Sequence, residues 1–399
     1  MIYLDNASTV KPSETAIKAI MKIMNDVWMN PSSTYYGGRE AKKILENSRE
    51  EIRKIFNAGN NDKIVFTSSG SASNNLAIGG FRYGKCGDDK FNVDNYILVM
   101  DGYAHSSSRK TVEENYKDEF IIVQGNKEGF IDASDLTYDL DIIKENGMKP
   151  FVSIVGGNNE IGTVINIKRV SEIVHEYNGI LHVDATQLYP DRKIDMKKMG
   201  IDMLTFSGHK IGTPAGVGCL IIKDGINLSP LINGHQEYSL FSGTENVAMI
   251  YALAECAKDL EKNRKEWGAK TKEVRNYFLD KCLKEFDCEL VGTPIKAWRL
   301  KNNASIMFHG QDAKNIQMYL DNHDIFCSVG SACNSTEYKP SDVLKAIGLK
   351  DPDIYSVVRF SFSHDNTKEE VDHVIDIIKE YMETEKDNIS KCVKGWYDG

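Results

Sequence analysis

The stretch MLTFSGHKIGTPAGVGCLII, residues 203–222, decides the fold class of this chain. Two apolar, β-rich runs, 203–206 and 218–222, flank a spacer of 11 residues that contains glycines and a proline. A connection between neighbouring parallel strands needs about a dozen residues or more. The second run is therefore predicted to be an antiparallel strand, and the first run is predicted to be an ordinary member of the same sheet.

Five further apolar runs precede this stretch, and helix-length spacers separate most of them. They cover residues 63–67, 96–100, 120–123, 151–155 and 180–183. Repeated strand–helix units of this kind predict a largely parallel sheet that is covered by helices on both faces. The sequence thus predicts an α/β fold with seven strands, one of which is antiparallel.

The pattern changes after residue 247. Residues 247–286 carry the spaced apolar positions of a long amphipathic helix, and short strands and helices alternate beyond it. Thr367 and Glu370 form the sequence signature of a capping box at the start of the last helix. We predict a large domain over 1–255, a smaller α+β domain over 256–383 and a frayed tail over 384–399. The first residues, about 15 of them, are expected to pack with the smaller domain.

Composition narrows the class of protein. The 399 residues carry 49 Lys and Arg against 58 Asp and Glu, a net charge of −9, without a basic block, which argues against a nucleic-acid-coating protein. No apolar run approaches the ~18 residues of a membrane span, and the first residues do not form a secretion signal. The eight cysteines are scattered without zinc or disulfide spacing. We expect a cytoplasmic small-molecule enzyme without a metal, a membrane partner or a direct nucleic-acid partner.

Ligands of open α/β sheets bind at the carboxyl ends of the strands, so the residues that follow each strand are the candidate site. A turn of small residues, 68–75, could cradle a phosphate, and Lys210 ends a strand that should be buried, where a desolvated amine suits Schiff-base chemistry. Asp184, Gln187 and His105 follow other strands. Each feature alone has an ordinary explanation: a capping loop, a surface histidine, a helix N-cap or a solvated lysine. Together they supply what pyridoxal 5'-phosphate needs.

Two cysteines stand out near the end of the chain. Cys333 lies in the small-residue stretch 328–335, which suits an exposed loop and a nucleophilic thiol, whereas Cys327 is predicted to be structural because apolar residues precede it. The stretch 79–86, GGFRYGKC, nearly matches a phosphate-binding P-loop. It follows a helical pattern instead of a strand and has Cys where Ser or Thr should stand, so no nucleotide site is expected there.

Many further motifs occur in an order that resembles one family. They are YLDNA at 3–7, NPSS at 30–33, NNLAI at 74–78, NNEIG at 158–162, HVDATQ at 182–187, SGHK at 207–210, SGTEN at 242–246, GSAC at 330–333 and VRFS at 358–361. The chain resembles the group I (NifS/IscS-type) cysteine desulfurases, in the class V aminotransferase branch of the fold type I PLP-dependent transferases. The similarity runs from residue 3 to about residue 382.

The resemblance implies a role for each matching residue. Lys210 would hold the cofactor as a Schiff base and shuttle protons, Asp184 would pair with the pyridinium nitrogen, and His105 would stack on the ring. The remaining implied cofactor contacts are Gln187 at the ring hydroxyl, Asn159 at the ring, and Gly70, Ser71, Ser207, His209 and the neighbouring subunit's Thr244 at the phosphate. Asn159 and Arg359 would address the substrate, since a guanidinium suits bidentate capture of a carboxylate.

The resemblance also implies the reaction and its partners. L-cysteine would be converted to L-alanine, and Cys333 would take up the sulfur as a persulfide for delivery to an acceptor, such as an iron–sulfur scaffold or a tRNA-thiolation protein. A homodimer follows from the implied place of Thr244. Alternatives are a selenocysteine lyase or another class V aminotransferase with the same cofactor, and a sulfur-relay scaffold without turnover.

The chain departs from the family pattern at several positions. Ser69–Ala72 reads SGSA where the family often has GATE, Phe241 replaces an arginine, and Asn233 begins NGHQE in place of GGGQE. Ser363 and His364 stand where Gly and Arg are usual. None of these changes touches Lys210 or Cys333, so they leave the predicted chemistry in place and the partner and pathway open.

Overall fold

The computed structural model of the protein describes residues 1–84, 95–294, 298–330 and 340–397, with side chains as far as residue 384 in the last segment. Its contacts divide the chain into two compact units. We call one the sheet unit (Thr9–Asn158 and Thr163–Lys265) and the other the C-terminal unit (Met1–Ser8, Asn159–Gly162 and Glu266–Gly399). The C-terminal unit thus includes the first strand of the chain, β1 (Ile2–Tyr3).

The sheet unit contains a seven-stranded sheet in the order β2-β8-β7-β6-β5-β3-β4. Its strands are β2 (Lys63–Thr67), β3 (Tyr96–Asp101), β4 (Phe120–Val123), β5 (Lys149–Val155), β6 (Ile180–Asp184), β7 (Met203–Ser207) and β8 (Gly218–Ile222). Strand β8 pairs antiparallel with both β2 and β7, and the other pairs are parallel. The predicted fold class and the predicted antiparallel strand are confirmed.

Helices of the sheet unit lie before these strands, between them and after them. They are α1 (Glu14–Asp26), α2 (Tyr36–Ile55), α3 (Gly70–Arg82), α4 (Ser106–Tyr116), α5 (Ala133–Glu145), α6 (Ile167–Glu176), α7 (Leu188–Asp191), α8 (Met196–Met199) and α9 (Glu237–Leu240). The long helix α10 (Val247–Glu285) begins in the sheet unit, and the division between the units falls inside it. The predicted domain boundary near residue 255 falls in the same helix and stays a prediction.

Apolar residues cover the sheet on both faces. One face packs against α3 and α4 in a buried cluster that includes Leu76, Val112 and Met203. On the other face, the ring of Phe206 lies 4.8 Å from that of Phe56 and 5.4 Å from that of Tyr189. The strands are therefore buried on both sides, which is why they read as continuous apolar runs.

The C-terminal unit is built on two small sheets. In one, β1 pairs in parallel with β11 (Ile325–Phe326). The other has the order β12-β13-β10-β9, with β9 (Cys288–Leu290), β10 (Asn303–Phe308), β12 (Ser328–Val329) and β13 (Val357–Ser361). Its helices are α11 (Ala313–Asp321), α12 (Asp342–Ala346) and α13 (Lys368–Tyr397). Both sheets and helices contribute to one apolar cluster that includes Leu4, Phe278 and Ile375.

The start of α13 confirms the predicted capping box. The backbone N–H of Glu370 donates to Thr367 Oγ1 (3.2 Å), and the backbone N–H of Thr367 donates to the Glu370 carboxylate (3.1 Å). The backbone of α13 is helical as far as Tyr397, so most of the tail that the sequence predicts to be frayed is helix here. Lysine, which occurs three times in this tail, favours a helix.

Glu237, which the chain shares with the family pattern, and His364, which departs from it, both make defined contacts. Glu237, which closes the NGHQE stretch, is buried and forms a bidentate ion pair with the buried Arg49 (2.8 and 3.0 Å), and it also accepts from the backbone N–H of Phe66. His364 stacks on Trp267 with the ring centroids 4.3 Å apart and the planes 5° from parallel. Among the described residues, no helix is long and apolar enough to cross a membrane.

Candidate active site

Asp184 is the last residue of β6, and it is buried at the carboxyl edge of the sheet. Its Oδ2 accepts a hydrogen bond from Asn74 Nδ2 (2.7 Å), and its Oδ1 accepts one from the backbone N–H of Thr186 (3.0 Å). Asn74 belongs to α3, which begins just after β2. The two donors orient the carboxylate and leave lone pairs on both oxygens for a further partner.

The start of α3 forms a cradle at the same edge. Ser69 caps the helix by accepting from the backbone N–H of Ala72 (3.1 Å). The other backbone N–H groups at the very start of a helix have no acceptor within the helix, so they can donate to an anion such as a phosphate. A Cβ placed on Gly70 would lie 3.1 Å from Ser207 Cβ and 3.2 Å from Thr186 Oγ1. Gly70 and Ser207, which the sequence assigns to one phosphate site, are thus brought together, and the absence of a side chain at Gly70 keeps the space between them open.

Lys210 follows β7 in a tight turn, Gly208–Lys210. Only glycine fits at position 208, because a Cβ there would lie 2.4 Å from Thr213 Oγ1. His209 contacts Thr9 Oγ1 through its Nδ1 (3.2 Å). Burial and the neighbouring positive charge of Lys210 lower the pKa of His209 to about 4, so this imidazole is neutral at pH 7. A neutral His209 can donate one hydrogen bond to an anion without adding a charge.

His105 lies just before α4 and caps this helix with its own ring. Its Nδ1 accepts from the backbone N–H of Ser107 (3.1 Å) and lies 2.8 Å from Ser107 Oγ. Ser107 Oγ also accepts from Asn74 Nδ2 (3.2 Å), the same amide that donates to Asp184. A chain of hydrogen bonds therefore connects His105 to Asp184, two of the residues that the sequence assigns to the cofactor ring.

A second buried carboxyl group, Asp101, lies at the end of β3. It accepts from the backbone N–H groups of Val155 (2.6 Å) and Tyr103 (2.8 Å). Burial raises the pKa of Asp101 to about 7, and the charge of Asp184 adds to this rise. The apolar run predicts a strand that ends one residue earlier, at residue 100, and no motif indicates a role for Asp101.

The remaining predicted residues of the sheet unit, Gln187, Ser71 and Thr244, differ in their position and exposure. Gln187 follows Asp184 at the start of α7, and Ser71 is exposed in the first turn of α3. Thr244 is exposed in the loop before α10 and lines a cavity of about 210 Å³ together with Ser68. Thr244 thus lies beside the same turn that carries Ser71, at a surface of the sheet unit.

Asn159 and Arg359 belong to the C-terminal unit. The carbonyl of Asn159 accepts from Asn303 Nδ2 (3.3 Å). Arg359 is buried in β13, where its Nη2 donates to Asp5 Oδ1 and Ser8 Oγ, both at 2.8 Å. Its Nε is buried without a hydrogen-bond partner among the described residues. The guanidinium therefore retains donors, Nε–H among them, for a further acceptor.

Cys333 lies outside the residues that the structure describes. The strand that leads toward it, β12, pairs with β13 so that Ser328 stands opposite Arg359. Cys327, directly before β12, is buried in the apolar cluster of the C-terminal unit, and burial raises the pKa of its thiol well above the usual range. A thiol that resists ionisation is a poor nucleophile, so the structure supports the prediction that Cys327 is structural.

The residues of the sheet unit fit pyridoxal 5'-phosphate. The open cradle at Gly70 and Ser207 suits the phosphate, the oriented carboxylate of Asp184 suits the pyridinium nitrogen, and Lys210 follows β7 at the same edge. Among the described residues, no group of three or more histidine, cysteine or acidic side chains could hold a metal ion.

Comparison with known proteins agrees with this chemistry. The family described as aminotransferase class-V matches residues 2–374. The chain belongs to the class-V aminotransferase family. Membership of this family implies pyridoxal 5'-phosphate as the cofactor, and it confirms the resemblance that the sequence motifs indicate.

Relatives of this class-V protein carry consistent names. Cysteine desulfurase IscS 1 of Archaeoglobus fulgidus is 35% identical over 389 residues, which cover 96% of this chain and 97% of the relative. The solved structure of a NifS-like protein from Rickettsia africae covers 96% of this chain and 99% of its own, with a TM-score of 0.85 and 28% identity. A structure described as SspA in complex with cysteine covers 92% of this chain and all of its own, with a TM-score of 0.75 and 25% identity.

Sequence reasoning missed the residues that hold the predicted ones in place. Asn74 and Thr186 stand within motifs that indicate no role for them, and no motif indicates a role for Ser107 or Asp101. The available signal was weak: Asn74 is a polar residue on the buried side of an amphipathic helix, and a buried amide needs partners. Its partner Asp184 lies 110 residues away in the sequence, so only the folded chain reveals the pair.

Proposed function

We propose that this class-V protein is a pyridoxal-phosphate-dependent cysteine desulfurase that converts L-cysteine to L-alanine. The observation that carries the proposal is the arrangement at one sheet edge: the oriented Asp184, the open cradle at Gly70 and Ser207, and Lys210. The names of the relatives select the reaction among those that class-V enzymes perform.

In this proposal the residues that hold the cofactor are those that the sequence motifs indicate, most of them in the sheet unit. Lys210 binds it covalently, Asp184 hydrogen-bonds its ring nitrogen, and Gln187 contacts its ring hydroxyl. Gly70, Ser71, Ser207 and His209 bind its phosphate, and Asn159 and His105 contact its ring. When bound, pyridoxal 5'-phosphate withdraws electrons from the substrate's α-carbon. The amine of Lys210 would take up the proton of that carbon and later return a proton.

Arg359 binds the substrate carboxylate in this scheme. Asp5 and Ser8 fix the guanidinium through Nη2, and among the described residues its Nε has no hydrogen-bond partner, so donors remain for a ligand. Bidentate binding of a carboxylate by Arg is both strong and directional. The free amino acid is thereby held by its carboxylate, and the side-chain thiol is left for chemistry.

Cys333 accepts the sulfur. Its thiolate forms a bond to the substrate sulfur while the carbon–sulfur bond breaks, and the released carbon takes up a proton to complete the methyl group of alanine. The products are one alanine and one persulfide on Cys333, so the atoms and electrons of the two thiols balance without an external oxidant. The persulfide then passes its outer sulfur to an acceptor protein, in iron–sulfur cluster assembly or tRNA thiolation.

The proposal includes a homodimer in the cytoplasm. Thr244 is exposed beside the turn that carries Ser71, where it is available to a second copy of the chain. In the proposed dimer it completes the phosphate site of the neighbouring subunit. The net charge of −9 and the scattered cysteines favour a reducing compartment and a small-molecule substrate.

Alanine formation from L-cysteine tests the proposal, with Lys210→Ala beside a matched control, Lys197→Ala, at an exposed position of α8. The wild type and the control should bind the cofactor covalently and release alanine. Lys210→Ala should lose the covalent attachment and about a thousandfold or more of the rate, since a lost general base typically costs this much. A cofactor-loaded wild type that forms no alanine from cysteine, and acts only on selenocysteine or on keto acids, would contradict the proposal.

A further inference from the structure

The hydrogen-bond chain between Asp184 and His105 has a defined direction. Asn74 is buried, and its Nδ2 lies 2.7 Å from Asp184 Oδ2. The amide cannot be turned around, because its oxygen would then face the carboxylate oxygen at the same distance. The second hydrogen of Nδ2 points to Ser107 Oγ (3.2 Å), so this hydroxyl is an acceptor from Asn74.

The direction of the chain determines the tautomer of His105. Ser107 Oγ accepts from Asn74 and donates its own hydrogen to His105 Nδ1 (2.8 Å). The backbone N–H of Ser107 donates to the same ring nitrogen (3.1 Å). A nitrogen that accepts two hydrogen bonds carries no hydrogen, so the neutral ring carries its hydrogen on Nε2.

We propose that Asn74 and Ser107 are positioning residues that hold His105 as the Nε2–H tautomer and tie its ring to the carboxylate of Asp184. The inference rests on the proposed function, in which Asp184 hydrogen-bonds the ring nitrogen of the cofactor and His105 contacts the face of the same ring. The serine hydroxyl and the asparagine amide fix the two groups relative to each other.

The physical advantage is that the contacts are set before the cofactor binds. A carboxylate and an imidazole that are already oriented need no rearrangement, so less of the binding free energy is spent on ordering them. Removal of the Asn74 amide or of the Ser107 hydroxyl should therefore weaken cofactor binding even where the fold is unchanged. Removal of both should raise the dissociation constant of the cofactor little more than removal of the Asn74 amide alone.

We call the hydrogen-bonded chain of Asp184, Asn74, Ser107 and His105 the relay. Cofactor affinity in a double-mutant cycle tests whether its links act as one unit. The full-length protein, Asn74→Ala, Ser107→Ala and the double variant are titrated with pyridoxal 5'-phosphate, followed by absorbance. Loss of one hydrogen bond of ~1 kcal/mol should raise the dissociation constant about fivefold for Ser107→Ala, and about tenfold or more for Asn74→Ala. Independent links would give about fiftyfold in the double variant, whereas a relay gives about tenfold. Ser107→Thr should restore the wild-type affinity.

The tautomer is read directly by nitrogen-15 NMR of histidine-labelled protein in the solid state, with His105→Asn to assign the signal. In the wild type the Nδ1 signal of His105 should be that of a nitrogen without hydrogen, and Ser107→Ala should give a mixture of tautomers. Ser106→Ala, one residue away and exposed, is the matched control and should change neither the affinity nor the spectrum.

The outcomes separate the relay from the proposed function. Variants at Ser107 and Asn74 that match Ser106→Ala in both affinity and tautomer would overturn the relay while the function stands. A wild type that does not bind the cofactor would overturn the proposed function, and the NMR of the cofactor-free protein would still decide the tautomer. Ser107→Ala, at a partly buried position, carries the test alone if Asn74→Ala does not fold.

Discussion

His182 shows how single residues adapt to the interior of the sheet. It is completely buried in β6, where its Nδ1 lies 2.9 Å from Ser153 Oγ and its Nε2 lies 3.0 Å from Thr205 Oγ1. Burial lowers the pKa of His182 to about 4, although the nearby charge of Asp184 opposes the shift. The two hydroxyls satisfy the neutral ring, so the imidazole spans three neighbouring strands without a charge.

This residue makes the stability of the protein depend on pH in a predictable direction. Between pH 6.5 and 4 the unfolded chain binds a proton at position 182 that the folded chain does not bind, so the contribution of His182 to the free energy of unfolding falls as the pH decreases. This contribution is on the order of 3 kcal/mol across the window. His182→Gln should remove it, so the free energy of unfolding, measured by urea unfolding, should fall less toward pH 4 than in the wild type, while the contributions of His209, in the same direction, and of Asp101, in the opposite direction, remain.

The matched control is His235→Gln at an exposed position, which should keep the wild-type pH dependence. Equal slopes for His182→Gln and the wild type between pH 6.5 and 4 would show that position 182 is not the source of the acid sensitivity.

Helix α3 illustrates how one element can serve both the fold and the site. Its middle residues Leu76 and Ile78 are buried in the sheet unit, while its first residue, Gly70, faces Ser207 and Thr186 at the cradle. A Cβ at Gly70 would meet these two side chains at 3.1–3.2 Å, which is closer than ordinary contact. A Cβ at Gly79, near the other end of the helix, would find its nearest neighbour at 3.5 Å, an ordinary contact.

Two Gly→Ala substitutions in this helix should therefore differ in their effect on cofactor affinity. Gly70→Ala should raise the dissociation constant of pyridoxal 5'-phosphate about tenfold or more, because overpacking by one methyl group costs ~1–3 kcal/mol. Gly79→Ala is the matched control. It should leave the affinity unchanged and stabilise the fold by up to about 1 kcal/mol. A titration of both variants and their unfolding curves provide the measurements, and equal affinities for both variants would rule out the cradle at Gly70.

At the level of elements, the sequence predicts much of the architecture because burial on both faces leaves a clear trace. The seven apolar runs match the seven strands to within two residues, and the short spacer after residue 206 correctly predicts the antiparallel β8. The capping box at Thr367 is equally local and is confirmed by its two hydrogen bonds.

The residues that hold the site's side chains in place could not be predicted from the sequence in the same way. Lys210 and Asp184 carry visible chemistry at strand ends, but Asn74 and Ser107 become meaningful only when α3 and α4 place them beside Asp184. The ion pair of Arg49 and Glu237 joins residues 188 positions apart. Such pairs depend on tertiary packing, which leaves no periodic pattern in the sequence.

At the scale of the whole molecule, the proposed dimer predicts that each site uses residues of two chains. Light scattering should give twice the chain mass of 44.9 kDa. Mixing Lys210→Ala with Thr244→Ala subunits should then create one intact site in each hybrid, the one with its own Lys210 and the neighbour's Thr244. After subunit exchange of equal amounts, about a quarter of all sites should bind the cofactor with wild-type affinity.

The unmixed variants provide the controls for this complementation, since neither alone contains an intact site. A monomeric mass, or a mixture that binds no better than Thr244→Ala alone, would contradict the shared site. Either result would leave the chemistry at Lys210 and Asp184 untouched.

The central claim is that Cys333 receives sulfur from L-cysteine, and mass spectrometry of the protein after incubation with L-cysteine tests it most directly. Cys333→Ala is compared with Cys327→Ala, the buried cysteine six positions earlier. The account predicts that the wild type and Cys327→Ala release alanine and carry added sulfur on the peptide that contains residue 333. Cys333→Ala should keep the absorbance of the bound cofactor, but it should release no alanine and carry no added sulfur on that peptide. Alanine release by Cys333→Ala at the wild-type rate, or added sulfur on another cysteine, would contradict the account.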